Sequence, residues 1–535
     1  MINSLLWTPL AFGLVGLFLP KRFAGWWAVL GTAVTAGIAI ALLAGFDSGA
    51  AGLQDAVDVN WIPGLGVDYS LGIDGLNVFL VLLTAVVWLG GTAFAAFREQ
   101  ERPHLFFLMM LLGETATLGA FVAQDLLLFV LFFDLMLVPF YFLFGAWGTD
   151  RAGGPTASAA TLKMIVYTLI GSLLMLVGAI ATAIIAADGG QITFSIAELA
   201  KQPVGDGSQQ WIFWFFAAAF LVKMPAFLLH GWMPDAYRAA PLPVLAVFSG
   251  VLAKVGAYGF LRVVLPLFPA ATVQFQTVVL LIALASILYG SVMAFTQTNI
   301  RLIGGYSSVA QLGFITAGIF ALRADGADGA VLQMVNHGLV VAPLFIIVAI
   351  LAERSGSEDL REMGGMAMRA PILAALFLIV TLATLAMPGS ANFIGEFYIL
   401  NGLFQAKIVF AFVAISGVAM SAYYALRLYQ RTMHNRKAEG IASRELSLRD
   451  GLVLAPLVLC IVGLALYPQL ILKRTDTSIQ QAVTAATGGS APEGRLAAKP
   501  DHERASLAQI NESAIPFPNE DPAFWHRVSN LDQRR

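Results

Sequence analysis

The sequence predicts an all-α polytopic membrane protein of about fourteen transmembrane helices, with two inverted five-helix repeats and two broken helices. Three observations carry that fold class. Hydrophobic residues make up 58% of the 535 positions and charged residues only 12%, with a mean hydropathy of +0.78. A soluble domain carries about 25% charged residues. Apolar runs near twenty residues recur along the chain, the length that crosses a hydrocarbon core about 30 Å thick. Two of those runs are interrupted by proline close to an ionisable residue: "LVKMPAF", with Lys223 and Pro225, and "LAMPGSANFIGEF", with Pro388 and Glu396.

In chain order the runs begin near Ser4, Ala24, Ile73, Leu105, Leu126, Ala160, Trp211, Pro241, Thr272, Leu302, Ala327, Ile372, Ile408 and Gly451. Backbone polar groups in lipid must be satisfied within the segment, so each run is read as a helix. The first run has its charges, Lys21 and Arg22, after the apolar stretch. That is the reverse of a cleavable signal peptide, and it predicts a retained first helix. No Lys or Arg occurs between Phe23 and Phe97, and the loop ahead of the third run holds Asp47, Asp55, Asp58 and Asp68. The opposite loops carry Arg98, Arg102, Arg151, Arg301, Arg354, Arg361 and Arg369, and then Arg427, Arg431, Arg436, Lys437, Arg444 and Arg449. The positive-inside rule makes these loops cytoplasmic, and an even helix count places both termini outside.

The two proline-broken runs are the seventh and the twelfth. Matching interruptions in two halves point to a repeat, and an odd offset inverts its topology. The expected organisation is residues 1–104 as accessory N-terminal helices with an external loop, followed by repeats over 105–265 and 266–433. A cytoplasmic loop and last helix follow over 434–474, and a polar tail rich in Ala, Gly, Ser and Pro over 475–535.

The apolar runs also contain Glu114, Asp134, Lys223, Lys254, His337 and Glu396, while Asp125 and His230 lie nearer run ends. One intramembrane charge is ordinarily a structural ion pair, and a lone histidine a satisfied core residue. Six ionisable groups at similar depth in different helices are another matter, because each one costs stability. Burial weakens the hold of an ammonium on its proton and a neighbouring carboxylate strengthens it. A mixed series of Lys, carboxylate and His, with water between, therefore has the composition of a proton relay that titrates as a coupled set. Moving a proton against a membrane potential costs about 2.3 kcal/mol per 100 mV. No GxxxxGK[ST] loop, GxGxxG turn or CxxC cluster supplies that energy, and Cys460 is the single cysteine.

Several motifs occur in an order that resembles the antiporter-like subunits of proton-pumping NADH-quinone oxidoreductase, respiratory complex I. They are "YSLGIDGLNVFLVLLT", the stretch from Phe133 to Gly148, "LVKMPAFLLHGWMPDA", "YSSVAQLGF", "QMVNHGL", "MPGSANFIGEF" and "YYALRLYQR". "LGIDGL" and "LRLYQR" favour the M-subunit branch. The resemblance covers about Asp74 to Pro468. It implies a relay of Asp134, Lys223, Lys254, His337 and Glu396, with Glu114 and His230 in secondary roles. It also implies partners among the other membrane subunits of complex I, including neighbouring antiporter-like subunits, in the cell inner (plasma) membrane, and no nucleic acid. Asp134 stands where the family usually has Glu, Gln311 and Tyr237 where it has His, and Arg301–Leu302 where it has a basic pair. The rival readings are a subunit of a multisubunit cation/proton antiporter, of a membrane-bound hydrogenase, or of a ferredoxin- or deazaflavin-fed relative. No cofactor is expected in this chain. Purified alone it should show no flavin, haem or iron–sulfur absorbance, and a stoichiometric chromophore would contradict that expectation.

Overall fold

The computed structural model describes residues 1–50, 52–151, 154–202, 204–434 and 444–488. Almost all of the described secondary structure is helical. The chain opens with α1 (Ile2–Gly16) and α2 (Lys21–Gly45), then an antiparallel hairpin of β1 (Gln54–Ile62) and β2 (Val67–Ile73). Next come α3 (Val78–Ala96), α4 (Pro103–Val122), α5 (Leu126–Leu135), α6 (Leu137–Trp147), α7 (Ala157–Ala187) and the short α8 (Ile196–Leu199). The central part holds α9 (Asp206–Lys223), α10 (Met233–Ala239), α11 (Leu242–Leu267), α12 (Pro269–Thr296), α13 (Ile300–Phe320) and α14 (Ala324–Ser355). The last part holds α15 (Pro371–Thr384), α16 (Ala391–Ala406), α17 (Ile408–Met433), α18 (Leu448–Leu466) and α19 (Gln469–Thr487).

Eleven helical stretches among the described residues are long and apolar enough to cross a membrane, counting α5 and α6 together. The other expected runs fold as the shorter α1, as α9, and as α15 followed by α16. The helices α11, α13 and α14 are buried along their most apolar windows, whereas α7, α17 and α18 expose most of theirs. The core therefore sits around α11, α13 and α14.

Three differences from the sequence reading have local causes. Ile73 ends a strand and does not begin a helix: the Asp74 carboxylate accepts the Leu76 and Asn77 N–H groups, and the helix starts at Val78. The tail expected from residue 475 begins inside α19, which runs to Thr487 and buries Ile471, Ile479 and Val483 along one face. An apolar stripe of this kind is enough to dock a helix that is polar on its other side. The rest of the tail, and Arg436 and Lys437, lie outside the described residues.

A third interruption joins the two that were expected. The run over 126–147 breaks at Met136. Pro139 has no N–H for the Leu135 carbonyl, and its ring crowds that same oxygen. The two expected breaks close alike. Ala226 N–H reaches back five residues to the Leu221 carbonyl at 2.9 Å, and Met387 N–H to Leu382 at 3.1 Å. Leu228 (φ 72°) and Ala386 (φ 53°) take left-handed backbone in these loops.

Helix α10 is anchored on the side of the arginine-rich loops. Arg301 is fully buried there. Its guanidinium donates to the Tyr237 carbonyl at 3.1 Å, to the Ala240 carbonyl, and to Glu358 at 2.7 Å and 3.1 Å. Arg151 adds a second contact to Glu358 at 3.0 Å. One arginine thus ties the end of α10 to the loop after α14, where an exposed pair would contribute little.

Candidate functional site

Lys223 is the last residue of α9. Helix C-termini present carbonyls without helical partners, and their partial negative charge favours a cation. One of these carbonyls, Val222, accepts the Trp232 indole N–H at 3.1 Å. The Lys223 ammonium points across to α5, donating to the Phe133 carbonyl at 3.3 Å and lying 4.3 Å from the centre of the Phe133 ring. Asp134, the next residue, is its charge neighbour, yet no direct ion pair joins them among the described residues. Asp134 also faces Ser172 of α7, and one of its carboxylate oxygens is buried without a partner. A cavity of about 20 Å³ lined by Lys223, Thr168, Trp232, Tyr237 and Leu252 adjoins the ammonium. It has room for about one water, which bridges polar groups at a cost of roughly 0–2 kcal/mol.

Lys254 occupies the middle of α11. Two π-helical turns flank it, Phe248–Leu252 and Phe260–Val264. A π-bulge shifts the hydrogen-bond register and leaves a carbonyl short of a helical partner. Here the Ser249 carbonyl accepts from the Lys254 ammonium at 2.8 Å. The Ser249 hydroxyl lies 3.3 Å from the Ser308 hydroxyl, and the Tyr237 hydroxyl faces Ser249. Tyr237 also lines the Lys223 cavity, so a polar thread runs from Lys223 through Tyr237 and Ser249 to Lys254. His337 on α14 lies within electrostatic reach of Lys254, and both of its ring nitrogens are buried without a partner among the described residues.

The third group centres on Glu396. One of its oxygens accepts the Gln311 amide at 2.7 Å, and the Gln311 carbonyl accepts the Gln333 amide at 2.7 Å. Among the described residues, the second Glu396 oxygen and both side-chain polar atoms of Asn392 are buried without a hydrogen-bond partner, and the Tyr424 hydroxyl has only Ser307 nearby. Close helix packing makes this cluster. Added methyl groups at Gly395 and Gly402 would collide with Gln333 and with the Gly326 backbone, so glycine lets α14 and α16 approach. Small residues serve this purpose between membrane helices generally.

The site residues expected from the sequence thus fall into an Asp134–Lys223 pair, a Lys254–His337 pair, and Glu396 with its amides. Others stand apart. Glu114 is buried, with neither oxygen hydrogen-bonded and no charged neighbour among the described residues. His230 is half-buried in the loop after α9, its ring 4.7 Å from that of Tyr289. Asp125 caps α5, accepting from the Leu128 N–H at 2.9 Å, and also takes the Asp68 N–H at 3.2 Å. Sequence reasoning passed over Ser249, Gln333 and Asn392. Gln333 carried one usable signal: it lies four residues before His337, on the same helix face.

Residues 123–421 match the family described as "NADH:quinone oxidoreductase/Mrp antiporter, TM". The NADH-quinone oxidoreductase subunit M of Rhodobacter capsulatus is 35% identical over 472 residues, 86% of this chain and 91% of that protein. The subunit M of Escherichia coli K12 is 38% identical over 434 residues, covering 80% and 84%. A chain of respiratory complex I from Thermus thermophilus with bound NADH superposes with a TM-score of 0.84 at 29% identity, over 91% of this chain and 100% of that one. A chain of the Mrp complex from Dietzia gives 0.78 at 20% identity, over 91% and 99%, a likeness of fold alone. The chain belongs to the NADH:quinone oxidoreductase/Mrp antiporter membrane-subunit family and groups there with the M subunits of NADH-quinone oxidoreductase.

The gap between Asp134 and Lys223 makes a geometric prediction. Glu is one methylene longer and carries its oxygens about 1.3–1.5 Å further. A structure of Asp134→Glu should therefore show a direct carboxylate–ammonium contact to Lys223. A side chain turned away toward α7 would contradict it.

Proposed function

We propose that this chain is the proton-translocating, antiporter-like subunit of an NADH-quinone oxidoreductase. In this reading the redox chemistry of other subunits drives protons along Asp134, Lys223, Lys254, His337 and Glu396. The observation that carries it is the line of buried, incompletely partnered titratable groups through the core, two of them lysines without a direct ion pair. A structural network would pair its charges, because an unpaired buried charge is heavily penalised. Glu114 and His230 have secondary parts, since neither touches the line. Tyr237 and Ser249 lie between the two lysines, Tyr237 across the small cavity from Lys223 and Ser249 in hydrogen-bond contact with Lys254.

The reading also includes about fourteen spans in two inverted repeats over 105–265 and 266–433. The matching five-residue closures at Leu221–Ala226 and Leu382–Met387 support that repeat. The arginine-rich loops face the cytoplasm and both termini the outside. The partners are other membrane subunits of the complex, including neighbouring antiporter-like ones, and the chain carries no redox centre of its own. A multisubunit cation/proton antiporter is the rival reading: the family description includes it and the Mrp complex chain shares the fold at 20% identity, but the relatives at 33–38% identity are M subunits of NADH-quinone oxidoreductase.

Lys223→Ala and Lys223→Arg should each lower pumping by about 100-fold, the scale of losing one positioned proton-transfer group. The arginine variant keeps the charge, but a guanidinium does not deprotonate in proteins. Asp134→Asn should stall pumping as well. The measurement is NADH-driven proton uptake by inverted membrane vesicles, with assembly checked in the same preparation. Normal pumping by Lys223→Arg would show that a fixed charge suffices and would end the donor role. Orientation has its own test, single cysteines placed at Arg361 and Ser478 with Cys460 removed. A membrane-impermeant reagent should label them from opposite sides, and labelling of both from one side refutes the topology.

A further inference from the structure

The arrangement around Glu396 goes one step beyond this relay and rests on it. The two carboxylate oxygens are treated differently. Oε1 is held by the Gln311 amide at 2.7 Å, while Oε2 is buried with no hydrogen-bond partner among the described residues. The Gln311 amide cannot turn over freely. Its own carbonyl takes the Gln333 amide at 2.7 Å, which requires the NH₂ end to point at the carboxylate. Gln333 packs against Gly395, where an added methyl group would collide with its amide oxygen, an atom with no hydrogen-bond partner among the described residues. All three side chains are almost wholly buried, so water does not compete for these bonds.

We propose that Gln311 is a positioning residue for proton exchange at Glu396: it fixes Oε1 in a permanent donor contact, so that the proton arrives and leaves at Oε2 alone. The O–H bond forms at Oε2 on uptake and the same bond breaks on release. An amide neither gives up nor takes a proton near neutral pH. No proton therefore passes from Glu396 back through Gln311 to Gln333. A histidine at this position could itself take up a proton, because its ring titrates near neutrality, but the Gln333 amide beyond it could not pass that proton on. Tyr424 stands within electrostatic reach of the Glu396 carboxylate, with Ser307 beside its hydroxyl. The chain thus replaces a group able to relay protons with one that only aims its neighbour.

The test uses the assembled complex in inverted vesicles, with NADH oxidation and proton uptake followed together. Gln311→Leu removes the donor to a charged acceptor and should slow pumping about tenfold. Gln311→His restores an N–H donor and should pump within about twofold of the parent, which is the conservative rescue. Gln333→Leu should give a smaller loss, and the double variant should be no worse than Gln311→Leu, because Gln333 acts only through Gln311. Infrared difference spectra supply a readout that a merely structural role would not move. The carboxyl band that disappears in Glu396→Gln should be displaced in Gln311→Leu.

Parent-level pumping and an unmoved band in Gln311→Leu, with Glu396→Gln stalled, would overturn the proposal and leave the relay standing. Additive losses in the double variant would overturn it too. Normal pumping by Glu396→Gln would instead sink the relay reading at this residue, and the proposal with it. If Gln311→Leu fails to assemble, Gln333→Leu carries the same comparison with Gln311 still in place.

Discussion

A backbone polar group in an apolar medium must find a partner inside the protein, and the rest of this structure depends on that constraint. It makes nearly every described segment a helix. It also makes each departure from the helical ladder a polar event in the core. Pro225, Pro388 and Pro139 each remove one N–H, and each break lies close to an ionisable residue: Lys223, Glu396 and Asp134. In α11 the same result comes without proline, since π-turns loosen the ladder on both sides of Lys254. Carbonyls near these breaks serve as acceptors. Lys254 takes the Ser249 oxygen, Trp232 takes the Val222 oxygen, and Lys223 takes the oxygen of Phe133 in the last turn of α5. Broken helices and buried charges are therefore two sides of one arrangement.

The second requirement is close approach. Charged groups in different helices interact only if the helices come near, and bulky lipid-facing side chains prevent that. Helices α14 and α16 solve this with Gly326 against Gly402 and Gly395 against Gln333. The result is a dense amide–carboxylate contact that two leucine-lined helices would have kept apart. The same residues illustrate a cost. Leaving a buried acceptor unpartnered is worth about 1–3 kcal/mol, and Glu396, Asn392 and His337 all carry such atoms. A scaffold under selection for stability alone would fill these positions with apolar side chains.

Much of the fold was legible because membrane helices obey a length rule that hydropathy reads directly. The broken runs at Pro225 and Pro388 were legible for the same reason, since proline inside a long apolar stretch has one meaning. The break at Met136 was missed because Pro139 sits only two residues into the following helix, where proline is ordinarily tolerated at a helix start. The hairpin between α2 and α3 was missed although its strands alternate, with Val57, Val59 and Trp61 in β1 and Val67, Tyr69, Leu71 and Ile73 in β2, because a period of two leaves no mark in a reading by apolar runs near twenty residues. The course of α19 was missed because its composition is polar and its apolar stripe narrow. Among the site residues, charged side chains in apolar runs identify themselves. Gln333, Asn392 and Ser249 do not, because a polar neutral residue in a membrane helix is common, and only its neighbours across the bundle give it a role.

The resemblance to the family implies histidines at positions 237 and 311, where this chain has Tyr and Gln. Tyr237 and Gln311 share no chemistry with each other, yet each keeps a hydrogen-bonding arm at the place where the family has an imidazole. Tyr237 reaches Ser249 and the Lys223 cavity, and Gln311 reaches Glu396. What both substitutions remove is titration near neutral pH. In the proposed relay the groups left to bind protons are Asp134, Lys223, Lys254, His337 and Glu396, separated by donors and acceptors that hold position without changing charge. Between such groups the Coulomb interaction falls only as the inverse of distance in a medium of low effective dielectric. Each protonation event is therefore felt by its neighbours without a side-chain contact. On this view the proposed relay tolerates the loss of both histidines because it needs charge at five positions and hydrogen-bond continuity between them, and this chain divides those two tasks among different residues.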